Sequence, residues 1–101
     1  MSVYQHRASV TIAAGSAASA TLNVDGGILQ QAILRANTGT TVFRASLTDE
    51  NGLVIVNWGW HEGEVNDMES HPALDGTYTI RVLNASLPDI FSLYLGIKDG
   101  R

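Results

Sequence analysis

Asp75-Gly76-Thr77-Tyr78-Thr79-Ile80-Arg81-Val82-Leu83-Asn84 and, after a short break, Ile90-Phe91-Ser92-Leu93-Tyr94-Leu95-Gly96-Ile97 decide the fold class. In the first run Tyr78, Ile80 and Val82 alternate with Thr77, Thr79 and Arg81. In the second, Phe91, Leu93, Leu95 and Ile97 fall on one parity. A period of two is what a strand needs to cover a core with one face and meet water with the other. Asp75-Gly76 reads as a turn opening the first run, and Asn84 to Asp89 as a connection between antiparallel neighbours. An all-β chain is expected.

Working outward, the same signal recurs upstream. Val10 and Ile12 alternate in Ala8 to Ala13, followed by the small-residue turn Ala14 to Ala18. Ala20, Leu22 and Val24 alternate with Thr21 and Asn23 until Asp25-Gly26-Gly27, which is expected to break the strand. Ile28 to Ala36 could carry a helical stripe of Leu29, Ile33 and Ala36. At nine residues between Gly-Gly and Asn37-Thr38-Gly39 it is shorter than most helices, and a central strand, apolar on both faces, is the expectation. Phe43, Ala45 and Leu47 share a face, Glu50-Asn51-Gly52 turns the chain, and Leu53 to Trp58 is strongly β-prone. His61 to His71 is a polar stretch with four of the ten acidic residues, anchored only by Val65 and Met68. These segments predict an antiparallel β-sandwich or jelly roll of seven or eight strands spanning residues 10–101 as one domain. Residues 1–9 are expected as an N-terminal arm, free to fray or to lie across a neighbouring subunit, with Val3 and Tyr4 as its substantial apolar groups.

Composition narrows the function. Of 101 residues, 45% are hydrophobic and only 16% charged, so much of the surface must be uncharged Thr, Ser, Asn, Gly and Ala. Such a surface suits packing against another protein, because charge is depleted at interface centres. A formal charge of −4 with six scattered basic residues offers no stripe for phosphates, so nucleic acid is not an expected ligand. Cysteine is absent, which excludes disulfides and thiol chemistry. The start Met-Ser-Val-Tyr-Gln-His-Arg has no apolar segment behind a basic flank, and no apolar run reaches membrane-helix length. Synthesis in a reducing cytoplasm, with no membrane partner, is the expectation.

Candidate chemistry is thin. In His61-Glu62-Gly63-Glu64-Val65 the two-histidine zinc pattern fails at its second histidine, and the oxygen spacing of an EF-hand is missing. A solvated acidic loop, without metal or other cofactor, is expected there. No Gly-x-Ser-x-Gly elbow exists, and the carboxylate pairs lie in polar stretches where water keeps them ordinary. The chain reads as a non-enzyme. Trp58 and Trp60 share a parity, so both rings are expected on one face, where they could stack on a sugar or anchor a protein contact. The interface candidates are therefore Val3, Tyr4, Trp58 and Trp60.

Two resemblances attach to these residues. Phe43 to Val54, with Gly76-Thr-Tyr78-Thr-Ile80-Arg-Val82 and Phe91-Ser-Leu93-Tyr-Leu95, is similar to the β-sandwich of bacterial pre-peptidase C-terminal domains, which are secreted accessory modules. The second covers nearly the whole chain: Val10-Thr-Ile12, a small-residue turn, Gly27 to Leu34, Thr40 to Asp49, Asp75 to Ile80, and Phe91-x-Leu93-x-Leu95. That order resembles the small single-domain structural proteins of tailed bacteriophages. The resemblance implies a virion component, foremost a capsid decoration (cement) protein that binds the major capsid protein or another virion protein and acts as a homo-oligomer. A tail or head–tail accessory subunit, or a carbohydrate-binding host-attachment module, is the alternative.

Overall fold

The computed structural model describes residues 3–98; the side chains of Val3, Tyr4 and Asp25 fall outside the described set. Seven strands follow in chain order: β1 (Val3–Ile12), β2 (Ala17–Ala36), β3 (Val42–Asp49), β4 (Val54–Glu62), β5 (Glu64–Asp67), β6 (Ala73–Leu83) and β7 (Asp89–Lys98). Every pairing is antiparallel. The hydrogen-bonded order is β1-β7-β2-β6-β3-β4, with β5 on the second half of β2. The chain is all-β and antiparallel, and no helix occurs among the described residues.

The twenty-residue β2 organises the sheet. Its first half, Ala17 to Val24, pairs with β6, whereas Ile28 to Ala36 pairs with β7 and Ala32 to Arg35 also pairs with β5. The segment 28–36 is thus a central strand as expected, but it is apolar on one face only: Leu29, Ala32, Leu34 and Ala36 are buried, while Gln31, Ile33 and Arg35 line the outer side. The expected break at Asp25-Gly26-Gly27 is instead a bulge within one strand, where the register shifts between Val24 and Gly27. Gly26 supplies the left-handed backbone (φ +83) that a bulge of this kind requires. A Cβ on Gly27 would lie 2.5 Å from the Lys98 carbonyl oxygen, so only glycine lets β7 approach there.

The expected turn at Asp75-Gly76 likewise lies inside β6, and it faces the bulge: Val24 pairs with Gly76 and Gly27 with Leu74. Two glycine signals read separately as chain breaks are the two sides of one bend, through which both strands continue. The Tyr78 hydroxyl fixes it, accepting the Asp75 N–H (2.8 Å) and donating to the Asp75 carbonyl (3.2 Å).

Other expectations are corrected. β6 and β7 are not neighbours, because β2 lies between them. Turn residues at 84–89 reverse the chain without dictating which edge the next strand joins. Val3 to Ser9 is not a free arm but the first part of β1, in unbroken register with β7 from Val3–Lys98 to Ile12–Asp89. The acidic stretch is only partly loop: Gly63 (φ +76) turns the chain and Glu64–Asp67 becomes β5, anchored by buried Val65, while Met68 is 61% exposed.

The inner side chains form one apolar cluster. Phe43 of β3 and Phe91 of β7 meet edge to face, with centroids 4.8 Å apart. In a flat sheet, two strands separated by β2 and β6 would lie about 14 Å apart. The sheet therefore curls enough to bring β3 and β7 into contact.

Candidate functional site

The outer surface of β2 (first half), β6, β3 and β4 is built in cross-strand rows. Asn23 pairs with Thr77, and Thr21 with Thr79, whose row ends at Thr48, itself buried. Ser19 pairs with Arg81, Ser46 and Asn57 in turn. These positions are the polar parity of strands whose other parity (Leu22, Val24, Tyr78, Ile80, Val82, Ala45, Leu47) is buried. Arg81 is the single charge in the three rows. Ala17, Leu83, Arg44 and Trp60 form a fourth row, and Val42 with Glu62 closes that end.

Trp60 is 58% exposed, and the Arg44 guanidinium lies 5.6 Å from its ring centroid, a cation–π contact at an exposed site. Trp58 does not share its face. Ala45 pairs with Gly59 and Ser46 with Asn57, so Trp58 is the extra residue of a bulge, and Gly59 carries the left-handed φ of +71. The bulge shifts the parity by one, turning Trp58 inward against the core and leaving Trp60 outward. The two-ring platform expected from their spacing is not assembled.

Trp58 borders a cleft of about 480 Å³ with Val56, His61, Val65, Asp67 and Met68. Asp67 organises this end. One carboxylate oxygen accepts the Trp58 indole N–H (2.7 Å), and the other accepts the backbone N–H groups of Glu69 (2.9 Å) and Ser70 (3.0 Å). Burial opposes its ionisation, but Ser70, Trp58 and Glu69 outweigh that and bring its pKa from 3.8 down to about 2. A carboxylate held anionic by three donors has no proton to give near neutrality. His61 Nε2 donates to the Trp58 carbonyl (2.9 Å) and His71 Nδ1 to the Leu29 carbonyl (3.0 Å), so each imidazole ties down backbone. Among the described residues, no three His, Cys, Asp or Glu side chains are grouped as a metal ion would need.

A second cleft, about 450 Å³, lies on the outer side of β1, β7 and β2 between Arg7, Ile33, Arg35, Ser92 and Tyr94. Its cations are occupied: Arg7 stacks 5.2 Å from the Tyr94 ring centroid, and Arg35 binds Glu64 at 2.6 Å.

Of the interface candidates, Val3 and Tyr4 pair through their backbones with Lys98 and Ile97, and their side chains lie outside the described residues. Asp67 as the anchor of Trp58 was not foreseen; the two are nine positions apart with only a glycine turn to bring them together. Asp89 was also missed. Buried at 8% exposure, it accepts the Thr41 hydroxyl (2.7 Å) and the N–H groups of Ile90 (2.7 Å) and Thr38 (3.0 Å). Burial works against the charge, but these donors hold its carboxyl below the ordinary range.

Comparison with protein-family models, with curated proteins and with solved structures finds no match to this chain.

Proposed function

We propose that this protein is a non-enzymatic structural subunit of a tailed-phage virion, a decoration (cement) protein that binds and stabilises the assembled shell. One observation carries the reading. The three polar rows of the β2-β6-β3-β4 surface contain Ser, Thr and Asn with Arg81 as their only charge, on a chain of net charge −4. Uncharged, hydrogen-bonding side chains on fixed strands suit the centre of a protein–protein contact. The exposed Trp60–Arg44 pair at one end supplies the residue types that most often anchor such contacts.

The architecture is read as a jelly roll. Counting the halves of β2 separately gives eight strands in two groups of four: β1, β7, second-half β2 and β5; then first-half β2, β6, β3 and β4. That is the pairing of two interleaved Greek keys, and the Phe43–Phe91 contact fits two layers facing across a core. Jelly rolls serve viral shells and sugar-binding proteins alike, so the surface rather than the fold has to decide. With Trp58 turned inward and its indole N–H held by Asp67, the sugar-platform alternative loses one of its two rings. Stabilisation follows from mass action: a subunit that binds only the assembled lattice favours it by RT ln(1 + [L]/Kd) per site.

The test is co-sedimentation of the purified chain with heads, and separately with tails, of the phage that encodes it. Stoichiometric binding to heads, lost in Thr79→Glu with an unchanged melting curve, is expected. Binding to tails alone would move the subunit to the tail apparatus. Binding to neither, with glycan binding lost in Trp60→Ala, would replace the virion reading with the attachment module.

A further inference from the structure

The first half of β2 has a strand on one side only. Residues 17–24 pair with β6 in unbroken register and with no other strand among the described residues. Their far edge therefore presents a row of unpaired N–H and C=O groups, a template for another strand. Edges are ordinarily guarded by charge, proline, bulges or brevity, and the other open edges here follow that rule. β4 is interrupted by two register shifts and ends in Glu62. β5 is four residues long and bears Glu64 and Asp67. β1 carries Arg7 near its middle. Ala17-Ala18-Ser19-Ala20-Thr21-Leu22-Asn23-Val24 has no charge, no proline and no bulge.

We propose that this edge is the interface between two copies of the chain, joined antiparallel across a two-fold axis near Ala20 and Thr21. An antiparallel pair is itself two-fold symmetric, so an unguarded edge offers its own copy matching donors and acceptors. Charge selects the occupant. A two-fold copy sets the residues at the axis against their twins, which at the centre of β1 would oppose arginine to arginine. Residues 17–24 bring two subunits of net charge −4 together without a like-charge contact at the seam. Burial agrees: Ala18 and Ala20 point to the core yet are only half-buried, on a strand with no further strand paired beyond it among the described residues. Pairing by equal parity joins the two outer surfaces into one eight-stranded sheet, β4-β3-β6-β2 followed by its copy. A seam of one strand is smaller than a standard interface, so the dimer forms with a dissociation constant on the order of micromolar.

The inference stands on strand pairing alone. A chain that dimerised but bound no head or tail would remove the virion reading and leave this one intact.

Sedimentation equilibrium of the full chain between about 1 and 200 μM, a span bracketing that affinity, is the test. Wild type is expected to pass from the 10.8 kDa chain mass to twice that value. Ser19→Lys/Thr21→Lys places four lysines at the seam on exposed positions and is expected to remain monomeric with unchanged circular dichroism. Ser9→Lys, on the competing β1 edge, is expected to dimerise as wild type. Hydrogen exchange gives an independent reading, since amides in 17–24 should gain protection with concentration. Wild type monomeric throughout, a dimer that survives the double lysine variant, or a dimer abolished by Ser9→Lys would each overturn the proposal. If the lysine variant unfolds, exchange that is independent of concentration overturns it instead.

Discussion

Replacing Asp67 by asparagine keeps the shape of the side chain and removes its charge. The carboxylate accepts three N–H donors, from Trp58, Glu69 and Ser70, and its pKa falls from 3.8 to about 2. At about 1.36 kcal/mol per pKa unit, that difference caps its contribution at roughly 2.4 kcal/mol. Asp67 is only half-buried, so solvent screening reduces the expected figure to about 1 kcal/mol. The sign follows from the direction of the shift. A carboxyl more acidic in the folded state stabilises it fully above the unfolded pKa near 4, and that stability disappears as pH falls through the folded value near 2. Urea unfolding followed by circular dichroism at pH 7, 4, 3 and 2 should show Asp67→Asn less stable by about 1 kcal/mol at neutral pH. The gap should close between pH 4 and pH 2. Equal stability at pH 7, or a deficit undiminished at pH 2, would refute the assignment of charge-assisted bonds to this carboxylate.

Phe43→Ala empties the point where β3 meets β7 and should cost about 3–5 kcal/mol in chemical denaturation. Gly27→Ala sets a methyl group 2.5 Å from the Lys98 carbonyl oxygen, which can retreat only by parting β2 from β7; a loss of at least about 2 kcal/mol is expected. Arg35→Gln breaks an ion pair whose side chains are 65% and 38% exposed, and the melting curve should change by less than about 0.5 kcal/mol.

Strand identity was legible wherever one face is buried, because period-two alternation and burial are the same constraint. β3, β6 and β7 read cleanly for that reason, and the nine residues 28–36 were recognisable as a strand from their length. What escaped was long-range. The pairs Asp25-Gly26-Gly27 and Asp75-Gly76 each carry a genuine glycine signal, but whether glycine ends a strand or bends it depends on what lies opposite. Here each lies opposite the other. The Trp58–Trp60 parity failed at Gly59, whose left-handed backbone inserts one residue and reverses every side chain beyond it. Val3 to Ser9 lacks a strong alternation because its described inward positions include only His6 and small Ala8, and its partner β7 lies at the far end of the sequence. Asp89 looked like a turn residue, and only the folded chain brings Thr38 and Thr41 to it.

The bend at Gly26 and Gly76 also determines the surface. Before it, β2 has β6 on one side and open backbone on the other; after it, β7 and β5 occupy both sides. Side-chain size follows this division, with small and polar residues in 17–24 and large apolar ones in 28–36. Charge runs against it. The covered half carries Arg35, where pairing is already complete, and the open half carries no charge at all. A strand selected to remain alone would show the reverse, since one lysine on an exposed edge is the simplest guard against a second chain. The missing guard lies on the same sheet as the uncharged rows of Ser, Thr and Asn. A copy added at that edge would double the surface proposed to meet the virion, so self-pairing and docking would draw on one continuous sheet and would strengthen each other through avidity.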